Sequence, residues 1–175
     1  MKNILFIILA FFLSRYVFCY DYEGTKIYPQ EYFPQTNIKK ISASSVLEER
    51  YKIENLIDKT WQSWAEGSGG DGVGESFSVE FKLPVKLGGF ILKNGYGQLD
   101  YFYKNNRVKS FEVLFDNETS GRIIKTNDTF EHEWYNFPGT VYVSDYIECT
   151  KITFIIREIY PGTHYNDTCI AEMNL

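Results

Sequence analysis

The stretch Tyr160–Glu172, Y-P-G-T-H-Y-N-D-T-C-I-A-E, decides how this chain is read. It is entered from K-I-T-F-I-I-R-E-I-Y (Lys151–Tyr160) and leaves through C-I-A-E-M-N-L (Cys169–Leu175), both strand-like runs. A second stretch answers it: W-A-E-G-S-G-G-D-G-V-G-E (Trp64–Glu75) flows into S-F-S-V-E-F (Ser76–Phe81), whose apolar residues alternate at period two. Long, aromatic, carboxylate-bearing loops carried on strands are typical recognition surfaces.

Composition supports the same architecture. The chain has 175 residues, 44% hydrophobic and 18% aromatic, enough for one core and not for two. Tyr and Phe at 14 each favour strands, and 13 Gly supply the turns of an all-β sandwich. Strands are expected at Ser76–Phe81, Leu87–Lys93, Ser110–Phe115, Arg122–Lys125, Glu131–Tyr135, Val141–Val143, Lys151–Ile159 and Cys169–Met173, after a first strand starting near Ile41. A single helical turn is expected over Ile53–Asp58. The count suits a jelly roll of about eight antiparallel strands.

The N-terminus reads as a targeting segment. Lys2 gives a positive start, Ile4–Leu13 is an unbroken apolar run, and that run is too short to span a bilayer. Residues 1–19 are expected to be a signal peptide cut after Cys19, with Val17 and Cys19 at the minus-three and minus-one places. The alternative is lipidation of Cys19, the one membrane attachment the sequence offers. The chain is therefore expected to be exported: secreted, periplasmic or on the cell surface. Residues 20–40, polar and punctuated by Pro29 and Pro34, read as a strap or tether before a domain at 41–175.

Removing Lys2 and Arg15 with the signal takes the formal net charge from −5 to −7. A surface this acidic disfavours nucleic acid and anionic lipid, whose phosphates need Lys and Arg. The cluster Lys104, Arg107 and Lys109 is small and local. The glycine run is no phosphate loop either, because it lacks the Gly-Lys-Ser/Thr ending and opens a strand.

Taken with N-G-Y (Asn94–Tyr96) and Y-K-N-N-R-V-K (Tyr103–Lys109), the two loops resemble the translocation-type glycan-binding domain of secreted bacterial NAD-glycohydrolase toxins. That family belongs to the discoidin-like, galactose-binding-like jelly rolls, and the resemblance runs from about Ile41 to Asn174. It implies a non-catalytic recognition module for a glycan or glycoprotein, with the loops meeting at one end of the sandwich. The alternative is a protein-binding adhesin or envelope component using the same loops.

A neutral sugar needs donors and acceptors for its hydroxyls and an aromatic ring for its C–H face. The candidates are Trp64, Glu66, Asp71, Asn94, Tyr96, Asn106, Arg107, Tyr160, Tyr165 and Asp167. Among the tryptophans, Trp61 and Trp134 read as core, while Trp64 is open to both readings.

The resemblance also implies a structural calcium between Asp58, Thr60 and Glu172. Calcium takes carboxylate, hydroxyl and carbonyl oxygens. Against it, D-K-T-W-Q-S-W is a residue shorter than the family's usual loop, and Lys59 sits beside Asp58. No organic cofactor is implied. Cys149 and Cys169 are open to two readings, a disulfide stapling the Tyr160–Asp167 loop or two buried thiols.

Catalysis is not expected. His132 sits in an acidic strand, E-H-E, and His164 lies in the binding loop as a sugar contact. The sequons at Asn117, Asn127 and Asn166 are idle in a bacterial exported protein.

Overall fold

The structure, a computed structural model, describes residues 35–139 and 146–175. The signal segment, strap residues 20–34 and the expected strand Val141–Val143 lie outside the described residues. What is described is an all-β jelly-roll sandwich, as the sequence pattern predicts. Its strands are β1 (Ile38–Ala43), β2 (Trp64–Ala65), β3 (Ser76–Leu87), β4 (Gly89–Asn94), β5 (Asn106–Phe115), β6 (Arg122–Lys125), β7 (His132–Asn136), β8 (Ile147–Tyr160) and β9 (Thr168–Asn174).

One layer runs β1-β3-β8-β5, with β6 beside β5; the other is β9-β4-β7, with β2 beside β9. Alternation along the strands builds the core between them. Phe77, Val79 and Phe81 of β3 point inward, as do Ile152, Phe154 and Ile156 of β8. Phe90 of β4 meets Phe154 at 5.1 Å and Phe111 of β5 at 6.3 Å, both edge-on, so aromatic contacts join the two layers.

Several expectations are corrected. The pairing is not wholly antiparallel: β5 and β9 run parallel through Asn106–Thr168 and Arg107–Cys169, and this short bridge joins the layers. Ile38–Lys40, assigned above to the strap, open β1 because Ile38 and Lys40 pair with Phe81 and Glu80. β3 continues past Phe81 to Leu87, absorbing Pro84 in an irregularity between Glu80 and Val85 where no ladder bond is required. The helical turn over Ile53–Ile57 forms as a 3-10 turn, and a short helix, α1 (Leu99–Phe102), was not anticipated.

The disulfide reading is also corrected, since Cys149 and Cys169 are both buried free thiols. Their places explain it. Cys169 lies opposite Arg107, whose β8 partner is Tyr160. Cys149 is further back along β8, opposite Val85. The strand between Cys149 and Tyr160 is roughly 35 Å long, far beyond the Cα separation a disulfide bridges. Burial pushes the Cys149 thiol up to about 12 and the Cys169 thiol higher still.

Candidate functional site

Strand polarity gathers the loops at one end of the sandwich. β1 ends there at Ala43, paired with Phe77. β4 ends there at Asn94, opposite Ile170, and β5 begins there at Asn106, opposite Thr168. The segments 44–63, 66–75, 95–105, 126–131 and 161–167 therefore share this end. Arg107 and Asp167 share it too, because the Asn106 amide donates to the Asp167 carbonyl at 3.1 Å.

Many of the residues expected to contact ligand instead bind the loops to each other. Asn106 is 2% exposed; its side-chain amide donates to the carbonyls of Asn166 (2.5 Å) and Asp71 (3.4 Å), and its oxygen accepts from Gly162 N (2.7 Å). One amide thus ties two loop segments, 66–75 and 161–167, to the start of β5. Arg107, 4% exposed, donates from Nη1 to the carbonyls of Asn105 and Pro161 at 2.9 and 3.0 Å. Its remaining donors grip Asp128, Nε to Oδ1 at 2.9 Å and Nη2 to Oδ2 at 2.7 Å. Such a two-toothed pair fixes geometry as well as charge.

Trp64, Glu66 and Asn94 are corrected on the same ground, and Tyr160 spends its hydroxyl within the protein. Trp64 is fully buried, edge-on to Phe77 at 5.5 Å, and its indole N–H donates to the Ser45 carbonyl. The buried Glu66 carboxylate accepts from Ser68 N and Oγ at 2.7 Å each and from Thr168 N at 3.2 Å. Asn94, 2% exposed, closes on β5, donating to the Val108 carbonyl and accepting from Val108 N. The Tyr160 hydroxyl donates to the Thr126 carbonyl at 2.8 Å. Trp64, Glu66 and Asn94 have little left to offer a sugar, while the Tyr160 ring is half-buried.

The glycine run is shaped by close approach. Gly72 has φ +82, and a Cβ there would stand 2.9 Å from both the Glu66 and Thr168 side chains. Thr168 Oγ1 donates to the neighbouring Asp71 carbonyl at 2.6 Å, while the Asp71 carboxylate accepts from Val73 N and stays exposed.

What reaches solvent is a set of rings and polar tips on two interlocked loops. Thr163 N and Oγ1 donate to the Tyr103 carbonyl, and the amides of His164 and Tyr165 donate to the Lys104 carbonyl at 3.1 and 2.8 Å. This lock leaves Tyr101, Tyr103 and Tyr165 at 40, 54 and 40% exposure, with His164 edge-on to Tyr165. Tyr96 is half-buried between Tyr51 and Tyr101, and burial, with a hydrogen bond to Tyr51, pushes its phenol up to about 12. Asp167 is half-buried beside this lock. Tyr101, Tyr103 and Trp61 were not picked out by sequence; Trp61, expected in the core, is 54% exposed. The signal that marks Tyr101 and Tyr103 is L-D-Y-F-Y, where only Phe102 faces inward.

The residues that the resemblance assigns to calcium each hold a partner within the protein. Asp58 Oδ1 accepts from Thr60 N, and Thr60 Oγ1 accepts from Gln62 N, so both close their own turn. The Glu172 carboxylate meets His132 Nε2 and Asn174 Nδ2 at 3.0 Å each. Among the described residues, no three His, Cys, Asp or Glu side chains are placed to share a metal.

Residues 31–175 match a family model described as the NAD glycohydrolase translocation F5/8 type C domain. No curated protein matches the chain. Among solved structures, the chain is similar to the CBM32-1 and CBM32-2 domains of Clostridium perfringens ZmpB, at 18% identity and TM-score 0.61. That match covers 83% of this chain and 35% of the other, so the chain spans about a third of that structure. The family 32 module of C. perfringens NanJ, solved in complex with galactose, is 19% identical with TM-score 0.57, covering 81% of this chain and 94% of that one. CpGH89CBM32-5 of C. perfringens, solved with GalNAc-β-1,3-galactose, is 17% identical with TM-score 0.59, covering 81% and 96%. These likenesses establish the fold.

Proposed function

Since the chain belongs to the NAD glycohydrolase translocation F5/8 type C domain family, we propose that it is a non-catalytic glycan-binding module of an exported bacterial protein, which takes sugar at the loop end. One observation carries the reading: Tyr101, Tyr103, His164 and Tyr165 are exposed together on loops locked by main-chain hydrogen bonds. Tyrosine rings offer a face to sugar C–H groups and a hydroxyl to sugar oxygens. Asp71 and Asp167 bring acceptors, and His164 brings a ring nitrogen. Because Asn106, Arg107 and Glu66 hold the loops beforehand, binding costs little ordering. The likeness to modules solved with galactose and with GalNAc-β-1,3-galactose supports the ligand class.

The protein-binding alternative is favoured by the aliphatic residues at the same end, Val46, Leu47, Val73 and Leu99, all exposed. A glycan array with the mature protein separates the readings. Saccharide binding that is competed by free sugar and lost in Tyr103→Ala or Tyr165→Ala is expected. Silence on the array, with capture of a protein partner dependent on Leu99, would replace the glycan reading.

A further inference from the structure

We propose that Trp61 is a second saccharide contact, so that the loop end takes an oligosaccharide in preference to a monosaccharide; this rests on the glycan reading above. The Trp61 side chain makes no hydrogen bond or ring contact among the described residues, and the residue is 54% exposed. Leaving an indole in water forfeits one of the largest burial gains a side chain offers. It is nevertheless held firmly out. Thr60 N donates to Asp58 Oδ1 at 2.9 Å, Gln62 N donates to Thr60 Oγ1 at 3.1 Å, and Lys59 takes a φ of 61° between them. Asp58 and Thr60, two of the three residues assigned by resemblance to calcium, thus build the turn that presents Trp61.

That turn is fixed to the candidate site. Gly97 presses on it so closely that a Cβ there would stand 1.9 Å from the Trp61 carbonyl oxygen, and Gly97 N donates to Ser63 Oγ at 2.9 Å. The preceding residue, Tyr96, meets the Tyr101 ring at 5.4 Å. Trp61 and Tyr101 are therefore tied to one Tyr96–Gly97 turn, the first through backbone and the second through ring contact. Both Tyr96 and Tyr101 carry a hydroxyl and Trp61 an N–H, so each ring joins an apolar body to a polar tip. That is the chemistry of sugar, whose rings alternate C–H patches with hydroxyls, rather than of an aliphatic protein surface. On this reading the ligand that touches both Tyr101 and Trp61 is an oligosaccharide.

The test is calorimetric titration of the full chain with galactose, N-acetylgalactosamine and GalNAc-β-1,3-galactose. The parent is expected to bind the disaccharide at least about tenfold more tightly than either monosaccharide. Trp61→Ala should erase that preference while leaving monosaccharide affinity and melting temperature unchanged, and Trp61→Phe should restore most of it. If Trp61→Ala weakens all three ligands equally, or none, the second contact is refuted while the glycan reading stands. If the parent binds no saccharide, the glycan reading and this inference fall together. If Trp61→Ala instead converts a sedimenting dimer to monomer, the indole serves self-association and the inference is overturned.

Discussion

Arg107 grips Asp128 with two parallel hydrogen bonds, 2.9 and 2.7 Å, from a side chain only 5% exposed, while the Asp128 side chain keeps 32% of its surface in water. The cation faces inward and the anion stands at the rim. Arg107 was expected to be an exposed sugar contact, and its position makes it a strut between β5, the 126–131 loop and Pro161.

Arg107→Ala should therefore lower stability by about 2–3 kcal/mol, because it strands the carbonyls of Asn105 and Pro161 as well as Asp128. Denaturant unfolding measures this. A double-mutant cycle with Asp128→Ala should show coupling, and additive losses would contradict the strut.

Trp64→Ala and Trp61→Ala should part company although only three positions separate them. Trp64 fills the core, so its truncation should cost about 3–5 kcal/mol. Trp61→Ala should stay within about 0.5 kcal/mol of the parent. Acrylamide should quench Trp61 emission and leave Trp64 emission nearly untouched.

The two cysteines should remain unpaired after air oxidation and resist alkylation until the protein unfolds, as intact mass will show. Their titration gives a pH signature. The Cys149 thiol is raised from 9.0 to about 12 in the fold, so the unfolded chain loses its proton first. Its contribution is complete below pH 9 and is lost as pH climbs through about 12. Cys149→Ala should flatten that alkaline decline, read as the denaturant midpoint against pH.

Chelation should leave the melting temperature unchanged, because Asp58, Thr60 and Glu172 are each committed to other partners. A fall on adding EDTA, reversed by calcium, would reveal an ion that stabilises only the native state.

The sequence carried the fold further than the site. The alternation in Ser76–Phe81 predicts the inward face of β3, and the run Arg122–Lys125 predicts β6 to its ends. Local period suffices there, since the side chains of a strand report their own face. The exchange of Trp61 and Trp64 was not legible. What buries Trp64 is the pairing of the two-residue β2 with Ile170 and Cys169, more than a hundred residues away. Asn94, Asn106 and Glu66 show the same limit: residue type marks them as able to hydrogen-bond, but only the assembled loops reveal that the partner is backbone. The parallel bridge between β5 and β9 has no local signature either.

That bridge has a mechanical consequence. It ties the two layers together directly beneath the loops, through Asn106–Thr168 and Arg107–Cys169, whereas the opposite end has no such cross-link among the described pairings. The sandwich is thus a clasp riveted at its loop end. Thermal opening is expected to start at the other end, with amide exchange running earlier through Gly89–Phe90 and Tyr135–Asn136 than through Asn106–Arg107. Tension applied through a bound ligand meets the riveted end first.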